Sequence, residues 1–378
     1  MERVLTVKAN ALSALSGCEV HIIAYGLKGR KPYFPLEPAV MVHDLGINER
    51  IRPVTFKRKL SKALKAIRPD VTIGLSGAEL RFLPDIERIL NAIWELRDAD
   101  GILRTKGVTA KWNFYDWSFE ENHLSVSGAE ESMLSSLFII AAKELVKLAE
   151  MLAWKFDGKK LAERWKLTAS NFERRFIKNG RIEEQLIDID TKMPKTCSTQ
   201  LAHAFWLLTG EASPEGRAIC EKALVDPSLL MPDYYLHYFW FRAAADAGVQ
   251  REALSRIRRY WGRCIDTGSP TLYEAGVHTF GKQSMNGAGS LCHGFGTIPV
   301  AFLHEVILGV RPLSGGFKEF SFAPDLMDLE FAEGRIAVPQ GVIHVRITRN
   351  DREITIPTGC SAILPDGRKL GCGRHQLH

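Results

Sequence analysis

From Pro84 to Leu308 the apolar residues recur at helical spacing in segment after segment, and this constrains the fold more than any other feature of the chain. The periodicity predicts helices over 84–97, 129–154, 158–177, 196–209, 214–224, 232–248, 250–262 and 288–308. Most of the connections are short, as between antiparallel helix pairs. Two are long, Ala99–Gly128 and Arg263–Gly287, and both are rich in Trp, Tyr and acidic residues. Long connections within a helical domain are commonly functional, so these two are where chemistry is expected. Either side of this region the texture differs.

Before Pro84 the periods alternate. Residues 2–15 are helical in pattern, 20–25 and 39–45 read as strands, 57–67 as a basic amphipathic helix stopped by Pro69, and 71–75 as a third strand. Strands alternating with helices imply a parallel sheet. After Val310 the helices stop. Short alternating runs at 317–322, 329–332, 335–338, 342–348, 353–357 and 361–364 are separated by turn signals at Glu333-Gly334, Asn350-Asp351 and Asp366-Gly367. That is an antiparallel β module. The expected domains are therefore a small α/β fragment over 1–83, a helical domain over 84–310 and a β-sandwich over 311–378. A chain of 378 residues has room for all three.

Charge and cysteine usage exclude several functions. Residues 1–80 carry thirteen Lys and Arg against seven Asp and Glu, which accounts for the whole net charge of +6. The run Lys57-Arg58-Lys59, Lys62, Lys65 is interleaved with Leu60, Leu64 and Ile67 at helical spacing, which describes a solvated helix face. It has no aromatic platform beside it, so no nucleic-acid partner is expected. Seven Cys without a CxxC pair exclude a disulfide scaffold and a zinc finger. The most apolar helix, around Leu134–Trp154, is broken by Lys143, Glu144 and Lys147, and the start lacks a signal-peptide pattern. A cytoplasmic protein without membrane association is expected.

The first long connection holds Trp112-Asn113-Phe114-Tyr115-Asp116-Trp117. The second holds Thr271-Leu272-Tyr273-Glu274-Ala275-Gly276, followed by Ser290-Leu291-Cys292-His293-Gly294. Aromatic faces between carboxylates suit a sugar, whose C–H faces stack on rings while its hydroxyls bond to acids. The same rings could equally plug a helical core. The glycines from Gly287 to Gly296 have no preceding strand and no Lys-Ser/Thr, which makes a phosphate cradle a poor reading. His375 and Cys372 lack metal spacing.

The stretch from Leu83 onward resembles the bacterial α-L-rhamnosidases. The resemblance is carried by Trp112–Trp117, Ser198-Thr199-Gln200-Leu201-Ala202, Tyr260-Trp261-Gly262 leading to Thr271–Glu274, and Ser290–Gly294. It continues through Leu308-Gly309-Val310-Arg311-Pro312-Leu313, Gly316-Phe317-Lys318 and Ala323-Pro324. It implies an α/α toroid of six helical hairpins followed by a C-terminal β-sandwich. Eight predicted helices in place of about twelve make the expected toroid incomplete, with Glu274 exposed near the gap. It also implies an inverting glycoside hydrolase acting on a rhamnose-containing carbohydrate, without cofactor or metal. Glu274 matches the family's general base, and Asp116, Trp117 and His293 match positions lining the sugar pocket. Trp112 and Tyr273, in the same segments, are further candidates to contact the sugar. Ala275-Gly276 replaces the family's aromatic after the base. The family's acid-bearing motif lies upstream of the matched region, and Asn48-Glu49-Arg50 is only a poor imitation of it. Weak or absent turnover is the expectation.

Residues 1–83 resemble something else. Met1–Asn10, Lys28-Gly29-Arg30-Lys31-Pro32, Phe34-Pro35-Leu36 and Asp44-Leu45-Gly46-Ile47-Asn48 are similar to the N-lobe of a two-lobed, nucleotide-sugar-dependent glycosyltransferase. The two resemblances meet near Phe82–Ile86, as a junction of two fragments would. Three functions therefore compete: glycoside hydrolase, glycosyltransferase, and a sugar-binding protein without turnover.

Overall fold

A computed structural model describes residues 9–10, 13–14, 19–24, 27, 35–46, 58–59, 62–63, 65–67, 83–105, 115–151, 156–276 and 290–377. The expected strand over 71–75, Pro69 and most of the helix over 2–15 lie outside them. The chain divides into two compact units, one of Met1–Leu80 with His304–His378 and one of Arg81–Leu303.

In the first unit, β1 (Val20–Ala24) and β2 (Val40–Asp44) pair in parallel, with Val20 opposite Val40 and Ala24 opposite Asp44. The parallel pairing agrees with the alternating pattern, and β1 is half-buried along its length.

The second unit is helical. It begins with α1 (Leu83–Trp94) and α2 (Trp117–Glu121), then β3 (Leu124–Glu130), α3 (Ser132–Met151) and α4 (Gly158–Phe176). A short hairpin of β4 (Ile177–Lys178) and β5 (Arg181–Ile182) leads to β6 (Glu184–Asp188), β7 (Pro194–Cys197), α5 (Gln200–Thr209) and α6 (Pro214–Ala223). Then come α7 (His237–Asp246), α8 (Gln250–Arg256), α9 (Gly262–Asp266) and α10 (Pro299–Phe302). The helices start where side chains satisfy their free N–H groups. The Asp157 carboxylate accepts from Lys160 N, Thr199 Oγ1 from Ala202 N and Ser213 Oγ from Gly216 N, each at 3.0 Å. Helix α5 ends at Gly210, whose φ of 70° is left-handed. It is apolar almost all round and buried, as a central helix must be. Its Trp206 stacks on Phe172 of α4 with ring centroids 3.8 Å apart.

Four sequence expectations are corrected here. The connection Ala99–Gly128 contains α2 and β3, and β3, β6 and β7 form an antiparallel sheet inside the helical unit. The helix over 250–262 is interrupted by a π-helical stretch, Ile257–Trp261. The helix over 288–308 is reduced to a 3₁₀ turn at Gly294–Thr297, α10, and a second π-helical stretch at Leu303–Ile307. Gly294, Gly296 and Pro299 break its backbone pattern. The residues before them, Ser290–His293, run alongside 272–274 instead, with Glu274 N donating to Ser290 O and His293 N to Leu272 O, both at 2.9 Å. Last, Glu333-Gly334 is no turn.

That last segment belongs to the sandwich of the first unit. Its strands are β8 (Val310–Pro312), β9 (Glu319–Phe322), β10 (Phe331–Val338), β11 (Gly341–Thr348), β12 (Arg352–Ile356), β13 (Ser361–Ile363), β14 (Lys369–Leu370) and β15 (Gly373–Leu377). The sheets have strand orders β10-β11-β12-β15 and β14-β13-β9-β8, antiparallel except for the β9–β13 pair. Gly334 sits in mid-strand opposite Val345 because a Cβ there would come within 2.3 Å of Leu308 Cδ1. Phe320, Phe322, Val338, Ile343, Val345 and Ile354 fill the core between the sheets.

Candidate functional site

The site grows from two carboxylates that the helical unit buries. Asp116, at the start of α2, is fully buried. Its Oδ1 accepts the Ser118 N–H at 3.0 Å and also the Ser118 hydroxyl, while Oδ2 accepts the Asp233 N–H at 2.8 Å. Burial raises its pKa to about 7 against those hydrogen bonds, and the neighbouring Asp233 charge adds to the rise. Asp233 is itself buried, in the turn before α7. Its Oδ1 accepts the Tyr234 N–H at 2.5 Å and its Oδ2 the Gly276 N–H at 3.4 Å. Asp116 is therefore tied through one residue to the segment that carries Glu274.

Glu274 lies in that segment with 17% of its side chain exposed. It is more enclosed than the exposed position expected from the sequence. Its Oε2 accepts the Ser290 N–H at 3.0 Å. Its Oε1 lies 4.0 Å from His293 Nε2, too long for a direct hydrogen bond and suited to a bridging water or hydroxyl. His293 Nδ1 accepts the Phe295 N–H at 3.1 Å, so the neutral ring carries its proton on Nε2, facing Glu274. The turn that holds His293 is pressed against the Glu274 segment. A Cβ on Gly296 would meet Leu272 Cβ at 2.4 Å and Tyr273 O at 2.9 Å, and Gly296 O accepts the Trp261 Nε1–H at 2.7 Å.

The structure thus brings together Glu274, His293 and, through Asp233, Asp116. Trp117 follows Asp116 and is half-buried, and Tyr273 is half-buried beside Glu274. Trp112 lies outside the described residues. Sequence reasoning missed Asp233, Trp261 and Gly296. In Met231-Pro232-Asp233 the aspartate looks like any residue opening a helix, and nothing local marks it as a tie to positions 116 and 276.

A second buried cluster centres on Glu131 and Glu184. Tyr115 OH donates to Glu131 Oε2 at 2.5 Å, and Thr105 donates its hydroxyl to Glu131 Oε1. Glu184 Oε1 accepts from Ser132 N at 3.1 Å, Ser132 Oγ at 2.7 Å and Met133 N at 3.4 Å, while Oε2 is buried without a partner among the described residues. Burial raises Glu131 and takes Glu184 to about 7, and burial next to these carboxyls also raises Tyr115. Among the described residues no group of three His, Cys, Asp or Glu side chains could hold a metal.

Residues 309–375 match the family described as bacterial alpha-L-rhamnosidase C-terminal domain. An alpha-L-rhamnosidase of Alteromonas sp. (strain LOR) is 29% identical over 282 residues, covering 68% of this chain and 29% of that protein. The chain is related to the bacterial α-L-rhamnosidases. The fold agrees. The rhamnosidase of Bacillus sp. GL1, a member of family GH78, superposes on 76% of this chain and 31% of its own with a TM-score of 0.60 at 22% identity. The Streptomyces avermitilis alpha-L-rhamnosidase, solved with L-rhamnose, superposes on 78% and 30% with the same score at 15% identity. The chain spans about a third of the length of these rhamnosidases. Among the described residues no helix is long and apolar enough to cross a membrane.

Proposed function

We propose that the chain carries the base-bearing part of an inverting α-L-rhamnoside hydrolase, with Glu274 as general base. The observation that carries this reading is the Glu274 carboxylate, anchored on one oxygen by Ser290 N–H and holding the other 4.0 Å from the His293 Nε2–H. A partly enclosed carboxylate with one oxygen available can orient a water and take its proton. His293 holds a sugar hydroxyl or that water, and Trp117 and Tyr273 supply ring faces for the sugar. Asp116 and Asp233 keep the two segments in register from behind. Inversion also requires a general acid roughly 6.5–9.5 Å from the base. None of the residues assigned here takes that role, so turnover should depend on the leaving group.

The test compares an activated aryl α-L-rhamnoside with an alkyl one. The aryl substrate should be cleaved and the alkyl one barely, because a phenolate needs little protonation. Proton NMR of the first product should show the inverted anomer. Glu274→Gln should lower aryl cleavage by about 10²–10⁴-fold, and an unchanged rate would remove Glu274 from the mechanism. Binding of L-rhamnose without hydrolysis of either substrate would favour the sugar-binding reading.

A further inference from the structure

The C-terminal sandwich has a concavity of its own. Where the end of β9, the start of β12 and the turn between β13 and β14 meet, a cavity of about 320 Å³ opens, with Phe322, Pro324, Leu364, Pro365 and Leu377 in its wall. That is large enough for a small ligand. Three charged residues also line it, Arg352, Arg368 and Asp366. Asp366 is committed to one of the two arginines: its Oδ1 accepts the Arg368 N–H at 3.0 Å and its Oδ2 the Arg368 Nε–H at 2.6 Å. The pair closes a tight turn in which Leu364 N donates to Arg368 O and Gly367 N to Leu364 O, both at 2.9 Å. Arg352 is left over. Along β12, Ile354 and Ile356 are buried, so Arg352 stands on the same core-facing side of the strand, opposite Leu377 of β15. The adjacent acid, Glu353, points to the other side and pairs with Arg374 at 2.7 Å. Among the described residues the Arg352 guanidinium has no hydrogen-bond or ion-pair partner. The cavity therefore holds two guanidiniums against one carboxylate, beside an apolar wall.

We infer that this cavity binds a small monocarboxylate with an apolar body, its carboxylate on Arg352 and its body against Leu364, Pro365 and Leu377. A guanidinium fork matches both oxygens of a carboxylate, and such charge-assisted bonds are stronger than neutral ones. The apolar wall draws the rest of the ligand out of water, which a bare anion such as phosphate does not gain from. The wall also favours an aromatic or alkyl acid over a sugar acid. Asp366, the one carboxylate there that could accept from hydroxyls, already holds Arg368 on both oxygens. Nothing in this assignment requires Glu274 or rhamnoside cleavage.

The experiment titrates the full chain with benzoate, benzyl alcohol, glucuronate and inorganic phosphate by isothermal calorimetry. Benzoate should bind, and benzyl alcohol, the same ring without the charge, should bind about tenfold more weakly. Glucuronate and phosphate should also fall below benzoate, one for its unsatisfied hydroxyls and the other for want of an apolar body. Arg352→Gln should lower benzoate affinity about tenfold. Lys178→Gln, an equal loss of charge at an exposed position in the helical unit, should leave it unchanged, and so should Glu274→Gln. Arg352 is exposed, so its variant should fold, and an unchanged melting temperature reports that it has. Equal affinity for benzoate and benzyl alcohol, or benzoate binding that survives Arg352→Gln, would overturn the assignment. So would no benzoate binding at millimolar concentration. Phosphate or glucuronate binding as tightly as benzoate would overturn the apolar body of the ligand. A benzoate affinity lowered by Glu274→Gln would move the ligand to the other site and overturn this one.

Discussion

Asp233 shows how much a single side chain can hold. Its carboxylate accepts two backbone N–H groups, from Tyr234 and Gly276, while its own N–H serves Asp116. Asparagine can accept on one atom only and turns an NH₂ toward the second donor. Asp233→Asn should therefore cost about 1–3 kcal/mol of stability, as expected when a buried partner is left unsatisfied. Chemical denaturation at fixed pH would measure this. The same change removes the negative charge beside Asp116, so the Asp116 pKa should fall from about 7. A carboxyl-carbon NMR titration of wild type and variant would show the direction. At this scale the sequence offered Glu274 and His293 only through the resemblance of the segments around them, and the folded chain sets their side chains 4.0 Å apart. Asp233 was not readable, because its role exists only once residues 116 and 276 are brought to it.

Among the elements, the polar β3–β6–β7 sheet inside the helical unit is the clearest departure from the sequence pattern. Strands such as Glu184–Asp188 and Pro194–Cys197 are short and largely polar, so no apolar alternation announces them. Their value is positional: β6 places Glu184 at the first turn of α3, where it satisfies the N–H groups of Ser132 and Met133. Glu184→Ala should cost about 1–2 kcal/mol for the lost cap. Glu184→Gln keeps an acceptor, sheds a buried charge and should stay near or above wild-type stability at neutral pH. Thermal melts of the two variants side by side would test this, and equal losses would show that the charge of the carboxylate, which both variants lack, matters more than an acceptor at the cap. The sandwich strands, by contrast, were legible because their alternating residues face a core on one side and water on the other.

Over the whole molecule, the buried acids should shape stability against pH. Asp116 and Glu184 have folded-state values near 7, and Glu131 is raised as well. An acid raised by folding adds stability that is fully present below its unfolded value, about 4, and that disappears as pH climbs through the folded one. His203 works in the opposite sense. Burial lowers it to about 4, so its contribution is present above about 6.5 and lost as pH falls toward 4. With at least two acids set against one histidine, stability should decline from about pH 5 to pH 7. Asp116→Asn should flatten that decline by about 1.4 kcal/mol per pH unit. Urea midpoints across this range would measure it, and a rise in stability over the same interval would contradict the buried-acid account.

Local pattern by itself determined the helical middle and the β-rich C-terminal region. Those features depend on period, turn chemistry and residue type, which are written within a few residues of one another. Tertiary structure alone decided that Ser290–His293 leaves the helical pattern to lie along Leu272–Glu274, that Gly334 stays in a strand, and that Asp233 joins positions 116 and 276. Each of these results depends on a close approach or a hydrogen bond between residues distant in sequence. The partner's position exists only after the chain has folded, so a local pattern cannot specify it.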